Sequence, residues 1–189
     1  MQYIRLYTES KSLNSYYYEE QTGEIFLLEQ NKGGSGLSVG IIAGISLVIF
    51  AFVRKMEQPV SFDGNLLYWI SAGTGAALGI LSAGYMLERA KRKIERKVRP
   101  YSCGLEEKQK MAKQNHRYFF TYVVLILIMA GVCAGYRFLM LWVVPAVPVY
   151  AFFNALMCLL TAFMIIAFAG NHPIKGWRIA SRILKTNEN

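Results

Sequence analysis

The sequence predicts a mainly α-helical, polytopic membrane bundle of four transmembrane helices with a small β-hairpin or meander at its N-terminus. Three observations carry that prediction. The chain of 189 residues is 54% hydrophobic and only 17% charged, and its apolar residues fall in blocks. Four blocks approach the roughly 20 residues that a helix rising about 1.5 Å per residue needs to cross a hydrocarbon core. Ahead of the first block, polar and apolar residues alternate with the period of a strand.

Residues 1–32 are expected to form a cytoplasmic β unit. "QYIRLYTE" sets Tyr3, Arg5 and Tyr7 on one face and Ile4, Leu6 and Thr8 on the other, as a strand does. "SYYYEEQTGEIFLLEQ" reads as two strands joined at Thr22 and Gly23, because glycine supplies the positive φ of a tight turn. Three short strands without a covering helix are marginal, so the sheet is expected to lean on the membrane surface, the basic loop or a partner. "NKGGSG" then reads as a flexible hinge.

Residues 33–87 hold transmembrane helices 1 and 2, assigned to 36–53 and 66–87. No cleavable signal peptide is evident, and the first helix is expected to act as its own insertion signal. Gly36, Gly40 and Gly44 recur every four residues on helix 1, and Gly75, Gly79 and Ala83 repeat the device on helix 2, flanked by Ala72, Ala76 and Ser82. Lipid provides little hydrophobic drive between helices, so close packing of small residues holds them together. The two faces are expected to meet within the molecule. A second copy, or a foreign membrane helix, is the other occupant that this spacing admits.

Residues 88–118 form a basic loop. Eleven Lys or Arg face four acids between Glu88 and Arg117, so the positive-inside rule places this loop, and with it both chain ends, in the cytoplasm of a multi-pass cell-membrane protein. "ERAKRKIERKVRP" meets no helix breaker before Pro100 and is expected to prolong helix 2. Arg89, Arg92, Arg96 and Arg99 fall at helical spacing, with Lys91, Lys93 and Lys97 around them. Anionic lipid headgroups are the expected counter-charge, at about 1 kcal/mol per basic side chain. Setting topology alone is the plainer role for the same charges. Nucleic acid is disfavoured because the segment lacks stacking aromatics.

Residues 119–170 hold helices 3 and 4, read at 119–135, extendable to Met140, and at 149–170. Pro145 and Pro148 interrupt the stretch between them, and "RFLMLWVVPAVP" reads as a bent lead-in at the interface or dipping into the outer leaflet. Asn154 is the one strongly polar side chain of helix 4 and is expected to bond across to Thr121 or Ser82 as structural glue. In the tail, 171–189, Trp177, Ala180 and Leu184 share one helical face with Ile174 nearby, and Arg178, Arg182 and Lys185 lie around the other side. That face suits the headgroup layer, with Trp177 at the boundary, or a dock on the β unit.

No assigned span contains an Asp, Glu, Lys, Arg or His, the groups that proton relays and intramembrane ion sites use. His116 and His172 stand singly, and HExxH, P-loop and GxSxG motifs are absent, so no enzyme, metal or cofactor is expected. Cys103, in the loop, and Cys133 and Cys158, in spans, read as packing thiols.

The opening "YIRLY", then "SYYYEEQTGEIFLLEQ", then closely spaced apolar spans, resembles the tandem five-transmembrane membrane proteins of Gram-positive bacteria. The family carries one span more than the four counted here. Some members protect their producer against a secreted membrane-active toxin, so the resemblance implies an immunity-type interaction protein that blocks a foreign membrane segment. The residues themselves leave a second class open, an accessory subunit of a secretion or transport complex that docks through the basic loop and β unit. A membrane enzyme or autonomous transporter is disfavoured by the missing ionisable residues.

Overall fold

A computed structural model describes residues 3–9, 14–29, 54, 56, 58, 61–142 and 147–185. The first apolar block, with Gly36, Gly40 and Gly44, lies outside them. The described chain comprises strands β1 (Tyr3–Thr8), β2 (Ser15–Glu19) and β3 (Ile25–Leu28), helix α1 (Gly64–Lys97), strand β4 (Arg99–Tyr101), and helices α2 (Leu105–Trp142), α3 (Pro148–Gly170) and α4 (Pro173–Lys185). Helices α1, α2 and α3 are long and apolar enough to cross a membrane. Contacts divide the chain into two units, one built from 1–32, 84–125 and 166–189, the other from 33–83 and 126–165.

The first unit holds an antiparallel sheet in the order β1-β2-β3-β4. Alternation works as expected in β1: Ile4 and Leu6 are buried, and with Tyr16, Ile25, Met111 of α2 and Ile179 of α4 they make the core. Between Arg5 and Tyr7 the register slips, a bulge centred on Leu6. The slip takes the Leu6 carbonyl out of the ladder, and Asn115 Nδ2 on α2 donates to it at 2.8 Å, so a backbone acceptor that the bulge would orphan is satisfied. The β2–β3 turn forms at the expected place. Gly23 has φ 74°, its N–H donates to Glu19 O at 3.0 Å, and Thr22 Oγ1 donates to Glu19 Oε2 at 2.8 Å.

Two expectations are corrected in this unit. The sheet has four strands, the last supplied by the basic loop, with Phe26 opposite Pro100 and Leu27 opposite Arg99. Arg99 therefore belongs to an edge strand and not to the α1 helix, which closes at Lys97. Proline is tolerated at a sheet edge because its missing N–H faces away from the ladder.

The second unit packs parts of α1, α2 and α3. Asp63 opens α1 as its cap, accepting from Asn65 N through Oδ1 at 3.0 Å and from Leu67 N through its carbonyl at 2.9 Å. Tyr68, Met140 and Ala151 form the local core, with Leu67, Ala72, Tyr136 and Tyr150 against it. Of the expected bent lead-in, residues 137–142 instead complete α2, two residues past the extension to Met140 that the sequence allowed, 143–146 lie outside the described residues, and α3 starts at Pro148. Proline suits a first helical turn, where no intrahelical acceptor awaits its N–H.

Candidate functional site

Three features gather the residues that could act on something outside the fold. The first is the small-residue seam of the second unit. On α1 the buried residues are Tyr68, Ser71, Gly75, Gly79 and Ala83, a single helical face. A Cβ at Gly75 would overlap the Ala155 backbone, and one at Gly79 would overlap the Leu159 carbonyl and stand 3.0 Å from Ala162 Cβ. The α1 glycines therefore pack on α3. Gly73 and Gly84, on other faces, have nothing described within 4 Å.

Asn154 is fully buried in this seam. Its Nδ2 donates to Ser71 Oγ at 2.7 Å, and Ser71 Oγ in turn donates to Tyr68 O at 2.8 Å. The partner is thus Ser71 and not Thr121 or Ser82, whose hydroxyls donate to carbonyls of their own helices. Thr161 Oγ1 bonds Met157 O at 2.7 Å and stands 3.5 Å from Cys133 Sγ. Polar groups here are spent on holding helices together.

The second feature is the cationic end of α1. Arg89, Lys91, Arg92, Lys93, Arg96 and Lys97 are all exposed, while Ile94 is half-buried. Arg92 pairs with Glu88 one turn back, and Arg96 and Lys97 occupy the last turn, where positive charge complements the helix dipole. Trp177 stands apart from this ring. Its indole stacks on His116 at 3.8 Å between ring centroids and meets Phe119 and Phe120 at 5.0 and 5.2 Å, so it holds α4 to α2.

The third feature is a cavity of about 240 Å³ in the first unit, on the sheet face opposite the core, lined in part by Arg5, Tyr17, Lys91, Glu95 and His172. Leu87, which ends the long apolar run of α1, and Gly170, the last residue of α3, also line it, and Leu87 methyls fill the space where a Gly170 side chain would stand. His172 turns α3 into α4 through a left-handed φ of 51°. Burial pushes the Tyr17 phenol above its ordinary value, with Arg5 pulling against it; burial, Glu19 and Glu95 raise Tyr3. Lys91 was legible as part of a basic segment. Arg5, Tyr17 and His172 were not, because three segments distant in sequence must close before they become neighbours. Among the described residues, no group of His, Cys, Asp and Glu could hold a metal ion.

No family model, curated protein or solved structure matches the chain.

Proposed function

We propose that the protein is an integral membrane protein that works by binding a partner within the bilayer, with both chain ends in the cytoplasm. The observation that carries this reading is the contrast between the two sides of the long helices. Their inner seam is filled and hydrogen-bonded, whereas Leu81, Leu127 and Phe138 are 70, 65 and 67% exposed. Water-soluble surfaces rarely leave so much large apolar side chain open; in lipid such faces meet acyl chains or another helix. The α1 glycine face is occupied by α3, so partner binding rests on these outward faces.

Three helices, α1, α2 and α3, are long and apolar enough to cross a membrane; the fourth proposed crossing, 36–53, rests on its sequence, because that block lies outside the described residues. α4, after α3, packs on β1, which supports a C-terminus on the same side as the sheet, and the eleven basic residues between Glu88 and Arg117 support the cytoplasm as that side.

Protection against a membrane-active toxin is the sharpest form of the reading, and it draws on the family that the N-terminal third resembles. The test is a photo-crosslinking amino acid at Leu81 or Leu127 in intact cells. A discrete protein adduct is expected. Lipid adducts alone at both positions, together with unchanged sensitivity to membrane-active peptides when the gene is deleted, would overturn the proposal.

A further inference from the structure

We propose that the cavity between the β1–β2 face, the basic end of α1 and the α3–α4 turn is a binding site for the phosphate of an anionic phospholipid headgroup. The inference rests on the membrane reading but names a site and a ligand class that the reading does not require.

The lining has the chemistry of such a ligand. Arg5 Nε donates to Thr8 Oγ1 at 2.9 Å, which fixes the guanidinium and leaves further N–H donors for an oxyanion. Lys91 reaches the same cavity from α1 and has no acceptor among the described residues, so its three donors are available. Tyr3, Tyr17 and His172 also line the cavity. Glu95 is the one acid in the lining, and it suits the hydroxyl or amine that commonly follows a headgroup phosphate.

Position and size point the same way. Leu87 and Gly170 mark the level at which α1 and α3 change from apolar to polar sequence, and both border the cavity. A phosphate seated between Arg5 and Lys91 would have its acyl chains beside the apolar helix surfaces. The cavity, at about 240 Å³, is below the range of sites for drug-sized ligands, which suits a headgroup and not a whole lipid. Basic pockets at the cytoplasmic ends of membrane helices are a recurrent way to hold such groups. Exposed charge farther along α1 attracts any anionic surface; this cavity gives one phosphate a fixed seat.

The test uses the full-length protein, purified in mild detergent and exchanged into phosphatidylglycerol or phosphatidylcholine nanodiscs. Retained lipid is counted by native mass spectrometry. Wild type should retain phosphatidylglycerol, and the Arg5→Gln/Lys91→Gln variant should retain it roughly thirtyfold less tightly. Ala90→Trp, which fills the cavity and leaves the charge unchanged, should lose it too. Lys110→Gln/Lys113→Gln, which removes the same charge from exposed positions of α2, should not. A second arm adds inorganic phosphate to protein in uncharged detergent and follows thermal unfolding. Protection of wild type but not of Arg5→Gln/Lys91→Gln by phosphate, without selective lipid retention, would assign the same seat to a free phosphate. Equal retention by all four proteins and no protection by phosphate would overturn the site. Release of the protein from membranes by alkaline carbonate would defeat the membrane reading separately, while the phosphate arm would still report on the cavity.

Discussion

The imidazole of His116 lies against the indole of Trp177, ring centroids 3.8 Å apart and planes inclined by 25°, and His116 Nε2 is also 3.2 Å from Ser181 Oγ. One side chain of α2 therefore grips two successive turns of α4. Phe119, Phe120 and Phe168 extend the cluster, so α4 is pinned by aromatics at one edge while Ile179 enters the sheet core.

Trp177→Ala should release α4 from this grip. Losing a half-buried indole should cost roughly 2–3 kcal/mol, below the range for a fully buried one. Limited proteolysis in detergent should then cut within 173–185 while the long helices persist. Protease resistance equal to wild type would show that Ile179 and its neighbours hold the helix alone.

Gly75→Ala and Gly73→Ala make a matched pair on one helix. The first forces a methyl into the Ala155 backbone and should lower stability by about 1–3 kcal/mol. The second meets nothing described within 4 Å and should be neutral or stabilising by up to about 1 kcal/mol, as alanine favours helix. Thermal unfolding at two protein concentrations checks both, since a loss that vanishes on dilution would place the contact between copies.

Asn154→Leu removes the donor to Ser71 from a site with no water access. On the proposed membrane reading such a bond is worth about 0.6–2 kcal/mol, and the larger apolar side chain must also fit the seam. A loss of that size is expected. Ser71→Ala in the same background should add little, because the coupling is already gone.

How much of this was legible in advance differs by element. Strands β1 to β3 were readable because a half-buried strand must alternate, and the β2–β3 turn because Gly23 takes a backbone angle that other residues resist. β4 was hidden: "RPY" is too short to show a period, and Pro100 in a charged run reads as a stop. The glycine spacing on α1 showed which face is small, but the occupant expected there was the first apolar block, whereas α3 meets Gly75 and Gly79, since any helix with a matching groove would serve. Asn154 was legible as interhelical glue, yet its acceptor depended on the rotation of α1 against α3, which no local pattern encodes. Arg5 was legible on a strand face and His172 as a lone histidine, but nothing local brought them to one cavity.

Tyr101 offers a pH test of the β4–α2 junction. Its hydroxyl donates to Glu107 Oε1 at 3.0 Å, and this bond to a carboxylate, with burial and the Glu107 charge, raises the phenol from 10.0 to about 12. A raised pKa means that the protonated form is favoured in the fold. The contribution is therefore fully present below pH 10.0 and lost as pH rises through about 12. Glu107→Ala should bring one tyrosine back towards 10.0 in an ultraviolet tyrosinate titration, and Tyr101→Phe should remove that late titration altogether. Identical curves for Glu107→Ala and wild type would show that the bond does not form in solution.

Sidedness can be read with thiol chemistry. In a background without the native cysteines, Ser61→Cys should react with an impermeant maleimide in intact cells. Cys103, retained alone, should react only after permeabilisation, and slowly, because burial pushes its thiol up. The reverse pattern would invert the orientation.

The pairing of β3 with β4 joins Leu27 to Arg99, on either side of α1 in the sequence, and α4 adds a third distant piece against β1. During synthesis, Leu27 must wait for Arg99, and Ile4 and Leu6 must wait for Ile179, the last of the core residues to leave the ribosome. Until then the β3 edge is open, and an open edge is a template for wrong pairing. The sheet thereby acts as a latch on completion of the chain. It closes only once β4 and α4 have been made, and a copy in which it stays open keeps an unpaired strand edge and uncovered apolar side chains.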